Sequence, residues 1–233
     1  MATRSWEIDE LAHAGAEHRD PSYIGGYDRK QGYPDPRSDL DEFADHGLRS
    51  DATVIDFGAG TGQFAIPAAR RFKRVIAVDV SPEMVAFLRK RAGEERLDNL
   101  TCVQAGFLSY EHPGEPVDGV FTRNALHHLP DFFKGIALHR IGGMVRPSGI
   151  LRLRDLVYDF EPRQADEILQ RWFDAAAADP HAGYTAGEFA DHVRTEFSTY
   201  RLLLEPMLVA TGFEIVSVEY TRSIYAAYTC IKS

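Results

Sequence analysis

The chain has 233 residues, with 26 Lys and Arg against 35 Asp and Glu, so its formal net charge is -9 at pH 7. This acidic balance argues against a nucleic-acid partner, which needs a concentration of basic side chains. The length suits one sizeable α/β domain with a small insertion and is too short for two ordinary domains with linkers.

Neither targeting nor membrane segments are recognisable. Residues 1–7 lack the apolar core of a signal peptide, and nowhere do about 18 apolar residues follow one another. Cys102 and Cys230 lie in apolar runs without metal-type spacing, which predicts buried thiols in a reducing compartment. We therefore expect a soluble cytoplasmic protein without a membrane partner, either a monomer or a homodimer.

The first 50 residues predict an N-terminal helical arm that forms a lid. Residues 7–16 have a weak helical pattern, whereas residues 18–36 are rich in Gly, Pro and Tyr, which favours irregular backbone. Residues 40–46 predict a short helix that leads into the first strand.

From residue 53 onward, apolar runs alternate with helical patterns. The runs predict strands at 53–57, 74–80, 100–104, 116–122 and 150–158, and the segments between them predict helices at 63–72, 82–93 and 131–145. Such an alternation is typical of a parallel sheet with helices on both faces.

The alternation ends after residue 159. Helical spacing and a capping box that starts at Thr185 predict a helical insertion, and two apolar runs joined by three residues predict a hairpin. These elements are helices at 162–178, from 185 and at 200–210, and strands at 213–220 and 224–231.

The predicted fold class is therefore α/β: a Rossmann-like, doubly wound, mixed seven-stranded sheet with an antiparallel C-terminal strand and a helical insertion. We expect one domain overall. In it, residues 51–160 form the ligand-binding core, residues 161–205 form a helical lid over the substrate, and residues 206–233 form the hairpin that completes the sheet.

A glycine-rich turn follows the first strand. Gly58, Gly60 and Gly62 can adopt positive φ and bring backbone N–H groups against a ligand. A nicotinamide dehydrogenase also fits this spacing, and there Asp79, at the end of the second strand, would bind the cofactor ribose. Asp56, just before the turn, instead favours a ligand with a cation nearby, because a pyrophosphate would be repelled.

Together these features resemble the class I S-adenosylmethionine-dependent methyltransferases over roughly residues 53–233. The resemblance also rests on Val-Asp-Gly-Val at 117–120, on Asn-Ala-Leu-His-His-Leu at 124–129 and on Arg-Pro-Ser-Gly at 146–149. It implies transfer of a methyl group from S-adenosylmethionine to an acceptor. We expect a small-molecule acceptor, whose identity and methylated atom the sequence does not give.

The resemblance also implies roles around the turn. Asp56 is expected near the methionyl ammonium group, the three glycines under the cofactor backbone, and Asp79 on both ribose hydroxyls. Family members often carry an acidic residue after strand three for the adenine amino group; this chain has none there, and Gly106 and Phe107 are expected to contact adenine. The expected cofactor-binding residues are Asp56, Gly58, Ala59, Gly60, Gly62, Gln63, Asp79, Val80, Met84, Gly106, Phe107 and Asn124.

Methyl transfer from a sulfonium is an in-line displacement, so the protein must mainly align the nucleophile with the methyl group and exclude water. His127 and His128, after strand four, are the candidate catalytic bases, with a pKa near neutrality. Alternatively the pair belongs to the turn, with one ring packed and the other solvated.

Substrate contacts are expected from Tyr27 and Tyr33 in the arm, Arg154 in strand five and Trp172 in the insertion. Ordinary packing would also explain Trp172, and a salt bridge to a flanking helix would explain Arg154. No metal is expected, because residues 122–124 lack the carboxylates that metal-dependent relatives cluster after strand four.

Two other functions are compatible with the same residues. One is a cofactor-binding regulator without catalysis, and the other is an NAD(P)-dependent oxidoreductase. Product formation with a panel of acceptors would separate the first from a methyltransferase, and calorimetry with S-adenosylhomocysteine against NAD would separate the second.

Overall fold

A computed structural model of the chain describes residues 5–15 and 21–233. Its strands are β1 (Thr53–Phe57), β2 (Arg74–Asp79), β3 (Leu100–Gln104), β4 (Val117–Arg123), β5 (Val145–Tyr158), β6 (Thr199–Tyr200), β7 (Phe213–Thr221) and β8 (Tyr225–Lys232). Its α-helices are α1 (Glu10–His13), α2 (Pro21–Lys30), α3 (Arg37–Asp45), α4 (Ala65–Ala69), α5 (Pro82–Glu94), α6 (Asp131–Met144), α7 (Ala165–Asp174), α8 (Ala186–Thr195) and α9 (Arg201–Ala210). Over these described residues, no helix is long and apolar enough to cross a bilayer.

The strands form a mixed sheet in the order β3-β2-β1-β4-β5-β8-β7, with β6 paired to β5 outside this path. Strands β1 to β5 run parallel, and β8 pairs antiparallel with both β5 and β7. The predicted doubly wound fold is confirmed, and the two-residue strand β6 is an addition to it. Because the strand order reverses between β1 and β4, a crevice opens at their carboxyl ends, where ligands bind in such sheets.

The continuous apolar run of β1 reflects burial on both faces of the sheet. Val54 packs with helices α3 and α4 on one side, and Ile55 and Phe57 pack with helix α6 on the other. All three side chains have no exposed surface. A strand held on both faces fixes the position of the turn that follows it.

The arm differs from its prediction. Residues 21–30 form helix α2 rather than irregular backbone, and the weak helical pattern of residues 7–16 gives only the short helix α1; residues 16–20 lie outside the described residues. The side chains of α2 explain the difference, since Ile24 is buried and Asp28 accepts hydrogen bonds from Thr61 and Gln63 next to the glycine turn. These tertiary contacts outweigh the low helix propensity of the glycines in α2.

The charges of strand β5 are satisfied within the fold. Asp39 of α3, fully buried, accepts from Arg152 Nε at 2.9 Å and from Arg154 Nη1 at 2.8 Å. Arg152 also donates to Thr229 Oγ1 at 3.0 Å. The Arg154 guanidinium thus joins α3 to the sheet, which is the salt bridge that the sequence left open, and its contact with substrate stays a prediction.

We expect Asp39→Ala to lower the free energy of unfolding by about 3 kcal/mol or more, because it leaves the buried Arg152 without its carboxylate. Urea denaturation of the ligand-free protein measures this change. Asp35→Ala is the matched control: Asp35 pairs with an exposed Arg37, and its loss should change stability by less than about 1 kcal/mol. Equal effects of the two substitutions would contradict the analysis.

Candidate active site

Three cavities meet at the carboxyl edge of the sheet. The Asp56 cavity lies over the glycine turn, the Asp79 cavity lies between that turn and Gly106, and the large cavity, of about 710 Å³, lies between the arm and the insertion. Tyr27 and Asn124 line all three. A ligand in one cavity can therefore meet a ligand in the next at these two side chains.

The glycines of the turn serve different purposes. Gly60 has a φ of +51°, and a Cβ there would meet only Tyr27 Cε1, at 3.8 Å, so its open side faces the cavities. Gly62 has a φ of +88°, and a Cβ there would lie 2.2 Å from Leu88 Cδ1 of α5. Gly60 thus allows a ligand to approach the backbone, whereas Gly62 allows α5 to pack closely against the turn.

Asp79 links the two strand ends. Its Oδ2 accepts from the Gly60 N–H at 2.8 Å and its Oδ1 from the Ser81 N–H at 2.9 Å. Each carboxylate oxygen can accept a further hydrogen bond, and the side chain lines the Asp79 cavity. The carboxylate is thus oriented by backbone donors and can receive a pair of hydroxyl groups.

Asp56 is buried beside Asp79, with 2% of its surface exposed, and its Oδ2 has no hydrogen-bond partner among the described residues. Burial, together with the negative charge of Asp79, raises the pKa of Asp56 well above its usual range. A buried carboxylate with an unsatisfied oxygen next to a cavity fits a cationic group of a ligand.

Most of the predicted cofactor residues line these two cavities. Those at the Asp56 cavity are Asp56, Gly58, Ala59, Gly60, Gln63 and Asn124. Those at the Asp79 cavity are Gly58, Gly60, Asp79, Val80, Gly106, Phe107 and Asn124. Gly62 and Met84 line neither: Gly62 packs on α5, and Met84, only 1% exposed, lies in the core beneath the cap of that helix.

Glu10 is a further cavity residue that was not among the predicted cofactor contacts. Its Oε1 accepts from the Leu108 N–H at 3.1 Å and its Oε2 from Ser109 Oγ at 3.0 Å, and it lines the Asp79 cavity. A Cβ on Gly106 would lie 2.3 Å from Glu10 Oε1. The arm thereby supplies a carboxylate beside the start of the loop after β3, where residues 104–107 include no acidic residue. A single Glu in a weak helical pattern gave no signal of this contact.

His127 lies between two carboxylates. Its Nδ1 is 2.5 Å from Asp155 Oδ1 and its Nε2 is 2.9 Å from Glu196 Oε2. Burial alone would lower the pKa of His127, but the two carboxylates together raise it to about 9. The expectation of a pKa near neutrality is therefore corrected for His127, because its two carboxylate partners favour the protonated ring.

His128 is placed differently from its neighbour. It lines both the large cavity and the Asp79 cavity. The sequence left open whether one histidine packs and the other faces solvent. In the structure, His127 is enclosed by carboxylates and His128 faces the junction of two cavities. Of the predicted pair, His128 is the one that can contact both ligands.

Two of the three aromatic residues predicted to contact substrate line the cavities. Tyr27 lines all three cavities, and Trp172 lines the large one while it stacks on Phe189 with ring centroids 4.1 Å apart. Tyr33 is 68% exposed and lines none of them. It follows Gly32 in a turn where both residues have positive φ.

The arm and the insertion are joined across the large cavity. Gln31 Nε2 donates to the Tyr184 hydroxyl at 2.6 Å, and Lys30 forms an ion pair with Glu188 of α8. All four residues line the large cavity, so these contacts form part of its wall.

Comparison with known proteins agrees with this site. A family model described as a methyltransferase domain matches residues 54–149. An uncharacterized methyltransferase of Geobacillus kaustophilus is 28% identical over 208 residues, which are 89% of this chain and 89% of that protein. An uncharacterized methyltransferase of Mycobacterium tuberculosis is 35% identical over 100 residues, which are 42% of this chain and 47% of that protein.

Among solved structures, the magnesium protoporphyrin IX methyltransferase of Synechocystis with bound S-adenosylmethionine aligns with a TM-score of 0.66 at 15% identity, covering 99% of this chain and 100% of that one. The fold is therefore the Rossmann-like fold of methyltransferases. The family match over residues 54–149 and the curated relatives support a class I S-adenosylmethionine-dependent methyltransferase. The interpretation as an oxidoreductase is set aside.

We expect Asp56→Asn to stabilise the ligand-free protein increasingly as the pH rises. Folding raises the pKa of this carboxyl group. Its contribution to the free energy of unfolding is therefore fully present below the pKa of the unfolded chain and is lost as the pH rises through the pKa of the folded protein. The amide cannot ionise and so avoids that loss. Urea denaturation over a pH series measures the difference, with Asp41→Asn at an exposed ion pair as control. A difference that does not grow with pH would contradict the burial of a charged Asp56.

Proposed function

We propose that this methyltransferase acts on a small molecule that binds in the large cavity. The observation that carries the proposal is the continuity of this cavity with the Asp79 cavity through Tyr27, Asn124 and His128. A volume of about 710 Å³ suits a small organic molecule. The net charge of -9 also argues against a nucleic acid as the methyl acceptor. Both cysteines are free, which supports a reducing, cytoplasmic location.

Each polar part of the cofactor has a matching residue near the glycine turn. Asp79 would accept from both ribose hydroxyls, Asp56 would pair with the methionyl ammonium group, and Glu10 would accept from the adenine amino group. The cofactor supplies an electrophilic methyl group on a sulfonium. On binding, the unsatisfied oxygen of Asp56 gains a cationic partner. The carboxylate that destabilises the ligand-free protein would therefore increase the affinity for the cofactor.

His128 is the proposed contact of the acceptor at the reacting end. It lies where the large cavity meets the Asp79 cavity, together with Asn124, whose φ of +48° turns the chain at the end of β4. The Asn124 N–H donates to the Arg154 carbonyl at 2.9 Å, which holds that strained residue in place. A fixed junction of this kind aligns acceptor and methyl group, which is the main requirement of an in-line displacement.

Incubation of the protein with methyl-labelled S-adenosylmethionine and a cell extract tests the proposal. After separation by size, we expect the label in species below about 1 kDa, the size that a cavity of this volume accepts. Label recovered in protein or nucleic acid would contradict a small-molecule acceptor. Transfer to no fraction, with S-adenosylhomocysteine still bound tightly, would instead favour the non-catalytic regulator. The Asp79→Ala variant, which loses the ribose contact, is the control for cofactor-dependent labelling.

A further inference from the structure

We propose that His127, His192 and Glu196 form a site for a divalent transition metal, with Zn²⁺ as the favoured ion, at the wall of the large cavity. This inference rests on the proposed function, because it assigns the metal to the binding of the methyl acceptor. It also departs from the expectation that the protein uses no metal, which considered only the residues after β4.

The three ligand atoms converge. His127 Nε2 lies 2.9 Å and His192 Nδ1 lies 3.0 Å from Glu196 Oε2, and the candidate ligand atoms all lie within 4.8 Å of one another. His127 is buried, and the side chains of His192 and Glu196 are only 12% and 23% exposed. Two imidazoles and one carboxylate that leave an open position are the ligand set of a catalytic zinc site.

The contacts of Glu196 with the two rings are close ion pairs without good hydrogen-bond alignment. Although both ring nitrogens are close to Glu196 Oε2, this buried oxygen has no partner in hydrogen-bond geometry among the described residues. A direct His–Glu network would aim an N–H at that oxygen. Ring nitrogens and a carboxylate oxygen that gather without such a bond are arranged as ligands around a common centre.

The other nitrogen of each ring is held by an outer partner. His127 Nδ1 contacts Asp155 Oδ1 at 2.5 Å, and His192 Nε2 contacts Ser198 Oγ at 2.7 Å. Asp155 is itself oriented by the Leu156 N–H and the His127 N–H. A metal-binding histidine almost always donates its second ring N–H in this way, which fixes the ring and makes the ligating nitrogen more basic.

The sequence spacing explains how the insertion contributes two ligands. His192 lies in the last turn of α8 and Glu196 caps that helix four residues later, so both project from the same face. His127 comes from the turn after β4, and its carbonyl accepts from the Phe197 N–H at 2.9 Å, which ties that turn to the end of α8. The site therefore joins the sheet edge to the insertion.

All three residues line the large cavity, so the open coordination position faces the acceptor. A thiol or hydroxyl of the acceptor that binds a Zn²⁺ ion there loses its proton to solvent, because coordination lowers its pKa. The resulting anion donates an electron pair to the methyl carbon while the carbon–sulfur bond of the sulfonium breaks. The products are the methylated acceptor and neutral S-adenosylhomocysteine, so charge and atoms balance.

Calorimetric titration of chelator-treated full-length protein with ZnCl₂ tests the site. We expect binding of one ion per chain, and visible absorption bands of a low-coordinate Co²⁺ complex when cobalt replaces zinc. His192→Ala should weaken Zn²⁺ binding by about 100-fold or more, and Asp155→Asn by about 10-fold to 100-fold through its effect on the His127 ring. His139→Ala removes an exposed histidine elsewhere and should change nothing.

The outcomes separate this site from the proposed function. S-adenosylhomocysteine affinity and thermal unfolding of each variant show whether the fold and the cofactor site are intact, and Glu196→Gln offers a second ligand variant should His192→Ala fail to fold.

No saturable Zn²⁺ binding, or equal affinities of His192→Ala and His139→Ala for Zn²⁺, would overturn the metal site even if small molecules are methylated. Specific Zn²⁺ binding with label only in macromolecules would leave the site standing and overturn the small-molecule acceptor. Thiol and hydroxyl acceptors offered to the loaded enzyme then distinguish the two acceptor chemistries.

Discussion

The site depends on two carboxylates that the fold brings together at the ends of neighbouring strands. Asp56 and Asp79 are both buried at the carboxyl edge of the sheet, where like charges raise the pKa of Asp56. Backbone N–H groups satisfy Asp79, but Asp56 keeps an unpaired oxygen. Such an arrangement destabilises the ligand-free protein, and in the proposed complex a ligand with two hydroxyls and one cation would satisfy both groups at once.

The surrounding elements follow from this constraint. The glycine turn allows a ligand to reach the two carboxylates, and helix α2 covers it, because Asp28 bonds to Thr61 and Gln63 at the turn. The same helix continues to Lys30, which pairs with Glu188 in the insertion. Residues of this one short helix thus line the Asp56 and Asp79 cavities as well as the large cavity, so in the proposed complex the helix would contact both the cofactor and the acceptor.

The sequence predicted what local patterning determines. The bounds of β1 and β3 agree with the apolar runs, the capping box at Thr185 begins a helix, and the carboxylates at 56 and 79 lie at strand ends. In each case the residues that form the feature are neighbours in the chain or follow a fixed period. The mixed sheet also followed from the order of these elements.

Features made by distant residues were not predictable. Glu10 meets the loop after β3 across nearly 100 residues of chain, and Arg154 pairs with Asp39 across 115. The three ligands of the proposed metal site combine a turn after β4 with one helix of the insertion. None of these contacts has a periodic signature, and each exists only because packing brings two segments together.

The most direct test of the central claim compares two cofactor analogues over pH. Methylthioadenosine has the ribose and adenine of S-adenosylhomocysteine but lacks its amino-acid tail, so only the latter offers an ammonium group to Asp56. As the pH falls through the raised pKa of Asp56, protonation of its carboxylate should weaken calorimetric binding of S-adenosylhomocysteine more than that of methylthioadenosine. Parallel pH dependence of the two affinities would contradict the assignment of Asp56 to the ammonium group.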